Sequence, residues 1–201
     1  MNRFHCDEEK LAKVLGIVGS LRVNSLNRAM MKVMSSMLPD WVEFETFDIG
    51  EIPHYNQDVE DSTVPGAVSE LRQKVKEADL VLIAAPEYNG SVSGVLKDAL
   101  DWASRPYGES SFSGKPVAVV TAVSGKNGGR AALNHLTLVI DYLDARLIDK
   151  PVLVQLASQK FDMQFNISDK ETLDKLGRLA EKIVEELSTR IPKVYEVPAA
   201  I

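Results

Sequence analysis

Short apolar runs rich in β-branched residues alternate with longer stretches of helical periodicity along this chain, and this limits the fold more than any other feature. Val14–Val18 is such a run and ends at Gly19. Leu26–Leu38 then reads as a helix, with Met30, Val33, Met34 and Met37 at i, i+3, i+4, i+7 spacing. Val42–Phe47 alternates apolar with acidic residues, as a half-buried strand near a sheet edge does. Val64–Ala78 is amphipathic through Val68, Leu71 and Val75. Leu80–Ala85 is almost wholly apolar, which suits a central parallel strand covered on both faces. The pattern continues with a helix over Val95–Ala103, a strand over Val117–Val120, a helix over Ala131–Leu143 and a strand over Pro151–Gln155. A last helix is predicted over Lys170–Leu187, opened by a capping box of Ser168 with Glu171. Five β-α units imply an α/β fold with a parallel sheet and helices on both faces.

The chain has 201 residues, enough for one domain, placed at 13–190 between a polar leader (1–12) and a tail (191–201). Its net charge of -6 disfavours nucleic acid and anionic lipid as partners. No apolar run reaches the roughly 20 residues of a membrane span. The single cysteine, Cys6, lies in the leader and has no partner for a disulfide or a metal site, so a cytoplasmic setting is expected. The histidines, His5, His54 and His135, show no metal-ligand spacing.

Sheets of this kind bind ligands beyond the carboxyl ends of their strands, where strand order reverses. Three loops are therefore expected to converge: Gly19–Asn27, Pro86–Gly90 and Ala122–Gly129. The first offers the hydroxyls of Ser20 and Ser25, the amide of Asn27 and the guanidinium of Arg22, next to the start of a helix. That set suits a phosphate dianion, which is drawn to unpaired N–H groups and to a fork of charged donors. Neither a GxGxxG turn nor a P-loop is present: no glycine lies between Gly19 and Gly50, and Pro116 stands where a P-loop hydroxyl would hold magnesium. In the second loop, backbone N–H groups of Glu87 to Gly90 can meet the carbonyls of a planar ring that Tyr88 or Asn89 frames. The third loop carries Gly125, Gly128 and Gly129, as backbone passing close to a flat ligand does. Taken singly, each loop has a plainer reading: capping serines with a surface arginine, an ordinary turn with a surface tyrosine, and a flexible connection.

Together these residues resemble the NADPH-dependent FMN reductase family, which includes chromate and quinone reductases and small azoreductases. The resemblance lies in Gly19-Ser-Leu-Arg-x-x-Ser-x-Asn27, in the segment Pro86–Trp102, and in Ser113-Gly-Lys-Pro116. It implies a flavodoxin-like, doubly wound five-stranded parallel sheet of order 2-1-3-4-5. It further implies that Ser20, Arg22, Ser25, Leu26 and Asn27 bind the FMN phosphate, and that Pro86, Glu87, Tyr88, Asn89 and Gly90 meet the isoalloxazine. Val123 and Ser124 are expected to meet the flavin through backbone. Lys97, Asp98, Asp101 and Trp102 extend the match and are expected to shape their helix and subunit contacts. The third loop departs from the family in its polar Ser124, Lys126 and Asn127 and in the placing of Arg130, which bears on the acceptor.

The implied activity is NADPH- or NADH-dependent reduction of a small electron acceptor (a quinone, flavin, azo compound or metal ion such as chromate) by ping-pong hydride transfer. The cofactor carries that chemistry, so no catalytic triad and no resident metal is expected. A homodimer or homotetramer is implied as well, with the helix around Trp102 and the loop Ile52–Asp58 as contact surfaces. A flavodoxin-type electron carrier and a flavin-free phospholigand module are the competing readings of the same fold.

Overall fold

The computed structural model describes residues 12–162, 164 and 166–190; residues 1–11 of the leader, with His5 and Cys6, and the tail lie outside them, and Ala12, counted with the leader from the sequence, opens the first strand. The strands are β1 (Ala12–Val18), β2 (Val42–Phe47), β3 (Leu80–Ala84), β4 (Pro116–Ala122), β5 (Arg146–Leu147) and β6 (Val152–Val154). The helices are α1 (Leu26–Ser36), α2 (Gln57–Ser62), α3 (Gly66–Glu77), α4 (Gly94–Ala103), α5 (Arg130–Tyr142) and α6 (Lys170–Ser188).

All pairings are parallel and the order is β2-β1-β3-β4-β5, with β6 also on β4. This is the flavodoxin-like arrangement expected from the sequence. The fifth strand position differs in detail. β5 pairs with the start of β4 and β6 with its end, so one edge strand is broken in two. Pro151, placed inside the predicted strand, lies just before β6; its missing N–H cannot join a ladder.

Strand alternation divides the core into two layers. Leu15, Ile17, Val81, Ile83, Val117 and Val119 face α3, α4 and α5. Val14, Val18, Leu80, Leu82, Ala118 and Val120 face α1 and α6, where Met30, Met31 and Met34 are buried. Gly16 belongs to this second layer, and a Cβ there would stand 3.0 Å from both Met31 Sδ and a ring carbon of Phe44. Lys115 from the Ser113–Pro116 segment has a structural task. Its ammonium donates to the carbonyls of Lys76 and Ala78, closing the end of α3, and burial pushes its pKa down.

Two expectations are corrected here. α6 is capped by Asp169, whose carboxylate accepts from the Thr172 N–H at 2.9 Å, while the Ser168 hydroxyl turns to the Lys160 carbonyl. A carboxylate answers both the helix dipole and the Lys160 ammonium 3.2 Å away, which a hydroxyl cannot. Trp102, expected at a subunit contact, is fully buried within this chain. Its indole N–H donates to the Pro53 carbonyl at 2.9 Å and its ring meets Tyr55 edge-on. Asp98 likewise serves the fold, accepting from the Tyr55 N–H and bonding His54.

Candidate functional site

Strand order reverses between β1 and β3, since β1 is flanked by β2 on one side and β3 on the other. Beyond the carboxyl ends there lies a crevice of about 290 Å³. All three loops contribute to it: Ser20, Arg22, Ser25, Leu26 and Asn27 from the first, Pro86, Glu87 and Tyr88 from the second, Val123, Ser124, Gly125 and Gly128 from the third.

Gly19 lets the first two loops meet. Its backbone stays out of the left-handed region, so its requirement is steric: a Cβ would lie 3.0 Å from Pro86 Cδ and from Leu96 Cδ2. The Ser93 hydroxyl, which also caps α4, donates to the Gly19 carbonyl and fixes that contact. Ser25 is the N-cap of α1, its hydroxyl oxygen accepting from the Arg28 N–H at 3.3 Å. The Leu26 and Asn27 N–H groups make no hydrogen bond among the described residues, as first-turn amides generally do not within a helix. Ser20 is buried against the crevice, and Arg22 is exposed at its rim and forms no ion pair among the described residues. Asn27 is occupied otherwise than its sequence position suggests. Its side-chain amide donates to the Ala122 carbonyl and accepts from the Ala122 N–H, both at 2.9 Å, tying α1 to the end of β4.

In the second loop only Pro86, Glu87 and Tyr88 line the crevice. Asn89 and Gly90, at φ 50 and 74, make the turn itself, between the paired N–H and C=O groups of Tyr88 and Ser91. Two successive left-handed residues are what an Asn-Gly hairpin turn requires. The Tyr88 N–H is thereby spent on Ser91, and the Glu87 N–H is left without a partner among the described residues. The Glu87 carboxylate, which the sequence reading did not assign, accepts from the Ala132 N–H at 3.0 Å. It caps α5, whose own N-cap is Gly129 at φ 93 and offers no side chain. Gly129 has no side chain to offer the first-turn N–H groups of α5, and the Glu87 carboxylate takes that place.

In the third loop the Val123 N–H bonds the Val154 carbonyl, so Val123 ties the loop to β6. The Ser124 N–H has no partner among the described residues. Gly129 is locked in place, since a Cβ there would collide with Leu153 Cδ1. Among the described residues no three of His, Cys, Asp and Glu gather as a metal would need.

The sequence model of the NADPH-dependent FMN reductase family matches residues 12–159. The chain belongs to that family. An NAD(P)H-dependent FMN reductase of Pseudomonas aeruginosa is 42% identical over 176 residues, spanning 87% of this chain and 92% of the relative. A 2-hydroxy-1,4-benzoquinone reductase of a Burkholderia species is 39% identical, spanning 85% of this chain and 93% of that one. Among solved structures, the NAD(P)H:acceptor flavoenzyme oxidoreductase FerB of Paracoccus denitrificans superimposes with a TM-score of 0.80 at 32% identity, covering 89% of this chain and 98% of FerB. For a member of the FMN reductase family, the crevice at the strand reversal is the candidate active site.

Proposed function

We propose that this chain holds FMN in the crevice and acts as an NAD(P)H-dependent oxidoreductase on quinone-class acceptors. The observation that carries this reading is a set of unspent donors that one loop brings to the crevice: the Leu26 and Asn27 N–H groups, the Ser20 and Ser25 hydroxyls, and the Arg22 guanidinium. No carboxylate stands in that loop. The donor set matches a phosphate monoester, which such N–H groups and an arginine fork bind together.

FMN, when bound, supplies the hydride-accepting and electron-donating chemistry. The protein's part is to bind and orient. Ser20, Arg22, Ser25 and the first turn of α1 hold the phosphate; Asn27 holds the loop to β4; Pro86 to Tyr88 and Val123 to Gly125 frame the ring. The free N–H groups of Glu87 and Ser124 are the donors we assign to ring carbonyls; they would favour negative charge there, as the donors of an oxyanion hole do. The Glu87 carboxylate keeps the second loop joined to α5, so the two ring-facing loops keep their spacing. NADPH or NADH and then the acceptor use the open face in turn, a ping-pong order. Free flavins, azo compounds and oxidised metal ions such as chromate are the other acceptors that this reading admits. No helix among the described residues is long and apolar enough to cross a membrane, which fits a cytoplasmic setting for this activity.

We further assign the groove between α4 and α5 to contact with a second copy, as a homodimer or homotetramer. Its cavity is about 1010 Å³, and Tyr107 (91% exposed), Tyr142 (91%) and Leu138 (60%) line it. Single chains rarely leave large apolar side chains together in solvent.

The test is anaerobic stopped-flow reduction of FMN-loaded protein by NADPH and by NADH, followed by an acceptor panel that includes a quinone. Bleaching of the flavin and its reoxidation by quinone are expected. Arg22→Ala should weaken FMN about tenfold or more in a fluorescence titration, since a charged hydrogen bond contributes ~1.5–3 kcal/mol. A protein that fails to quench added FMN would sink the reading.

A further inference from the structure

A third cavity, of about 470 Å³, lies along the outer face of α1. Val23, Asn24, Arg28, Lys32 and Val33 line it, and Gln164 and Asn166 stand opposite. It adjoins the crevice at Ser25, which lines both.

Three observations give this groove a chemistry. The chain is acidic overall, with a net charge of -6, yet from Ala12 to Pro39 it carries the cations Lys13, Arg22, Arg28 and Lys32 and no carboxylate. Arg28 and Lys32 sit one helical turn apart, both exposed, and neither forms an ion pair among the described residues. Arg28 reaches only the Ser20 carbonyl, at 3.4 Å. Like charges at i, i+4 weaken a helix, and a bound anion removes that penalty. Beside these cations the same cavity has an apolar side: Val23 is 88% exposed, and Ala29 and Val33 are half-buried.

Cations beside an apolar shelf, in a cavity within the size range of small-molecule sites, fit a phosphate attached to a flat, poorly hydrated ring. We propose that this groove binds the phosphorylated adenosine end of a dinucleotide. Arg28 and Lys32 take the phosphate oxygens, and Val23, Ala29 and Val33 receive the purine. The inference rests on the flavin reading for what occupies the neighbouring crevice. The shared chemistry has two sources. One is the 2′-phosphate end of NADPH, which would make the groove the basis of preference over NADH. The other is the adenylate half of FAD, leaving the crevice at Ser25.

The probe is adenosine 2′,5′-bisphosphate, titrated calorimetrically into the full chain, the Lys32→Glu variant and the Arg28→Gln variant. Saturable binding is expected, weakened about tenfold or more by Lys32→Glu and by Arg28→Gln, as for loss of a charge-assisted contact. Binding should also fall as salt rises through a few hundred millimolar. In the loaded enzyme, a KM for NADPH that rises about tenfold in Lys32→Glu, with NADH kinetics unmoved, identifies the 2′-phosphate. A weaker affinity for FAD with that for FMN unmoved identifies the adenylate. Lys32→Glu replaces a like-charge pair by an opposite-charge pair with Arg28 at i, i+4, so its unfolding midpoint should be no lower than the parent's. Equal affinity of parent and both variants for the bisphosphate, or no binding by the parent, overturns the proposal. A parent that binds the bisphosphate and loses it in Lys32→Glu, yet fails to bind FMN, retains the groove and removes the flavin reading instead.

Discussion

Asn27 and Arg22 sit in the same loop and do opposite work. Arg22 is exposed and has no ion-pair partner among the described residues, so its guanidinium is available to a ligand. Asn27 is buried and satisfies both backbone groups of Ala122. Asn27→Ala would orphan that N–H and C=O, and buried polar groups left unpaired cost ~1–3 kcal/mol each. The variant should therefore unfold at clearly lower urea, by about 2 kcal/mol or more at equilibrium, whereas Arg22→Ala should leave the midpoint where it is. A sequence shows only that both residues are polar and near a helix start. Which atoms are spent internally depends on β4, far along the chain. Glu87 makes the same point, because the helix it caps begins at Arg130.

At the scale of elements, the segment between β2 and α3 was the least legible. α2 buries none of its residues, so no hydrophobic stripe announces it. It is held through one carboxylate. The Glu60 side chain is 8% exposed, and its carboxylate accepts from Arg105 at 2.9 Å, from Tyr55 Oη at 2.9 Å and from Arg72 at 3.5 Å. Burial by itself would raise the Glu60 pKa, but the hydrogen bonds from Arg105 and Tyr55 and the two guanidinium charges outweigh it and hold the pKa below its ordinary 4.5. A depressed carboxylate stabilises the fold at pH above its unfolded value, and that contribution is lost as pH falls through the folded value. Thermal unfolding followed by circular dichroism should show a midpoint that drops below about pH 4.5 in the parent. Glu60→Gln should lower the midpoint at neutral pH, by about 1.5–3 kcal/mol of stability, and flatten that acid limb. An unchanged acid limb in Glu60→Gln would remove this network from the account. Elements with a strong apolar period were legible to within a residue or two. The edge strand split at Pro151 and the cap at Asp169 were not, since each depends on a local competition between neighbouring groups.

At the scale of the molecule, the two faces of the sheet are unequal at their surfaces. α1 and α6 cover one layer, while α4 and α5 leave the groove edged by Tyr107, Leu138 and Tyr142. If a second copy fills it, Leu138→Glu with Tyr142→Glu should shift the chain to a monomer in sizing chromatography at micromolar concentration without loss of helical signal. A parent that already elutes as a monomer would exclude the assembly. The helix that carries Trp102, α4, lines this groove through Gly94, Lys97 and Asp101, while the Trp102 side chain itself is anchored inward by Pro53 and Tyr55. Sequence by itself determined the α/β class, the parallel sheet and the three loops, because apolar periodicity and the placing of glycine and proline are local consequences of backbone geometry. Only tertiary structure decided which polar atoms face the crevice, which are consumed in bracing it, and which apolar side chains stay outside. Those outcomes depend on contacts between residues distant along the chain, and burial and hydrogen-bond satisfaction are settled by such contacts.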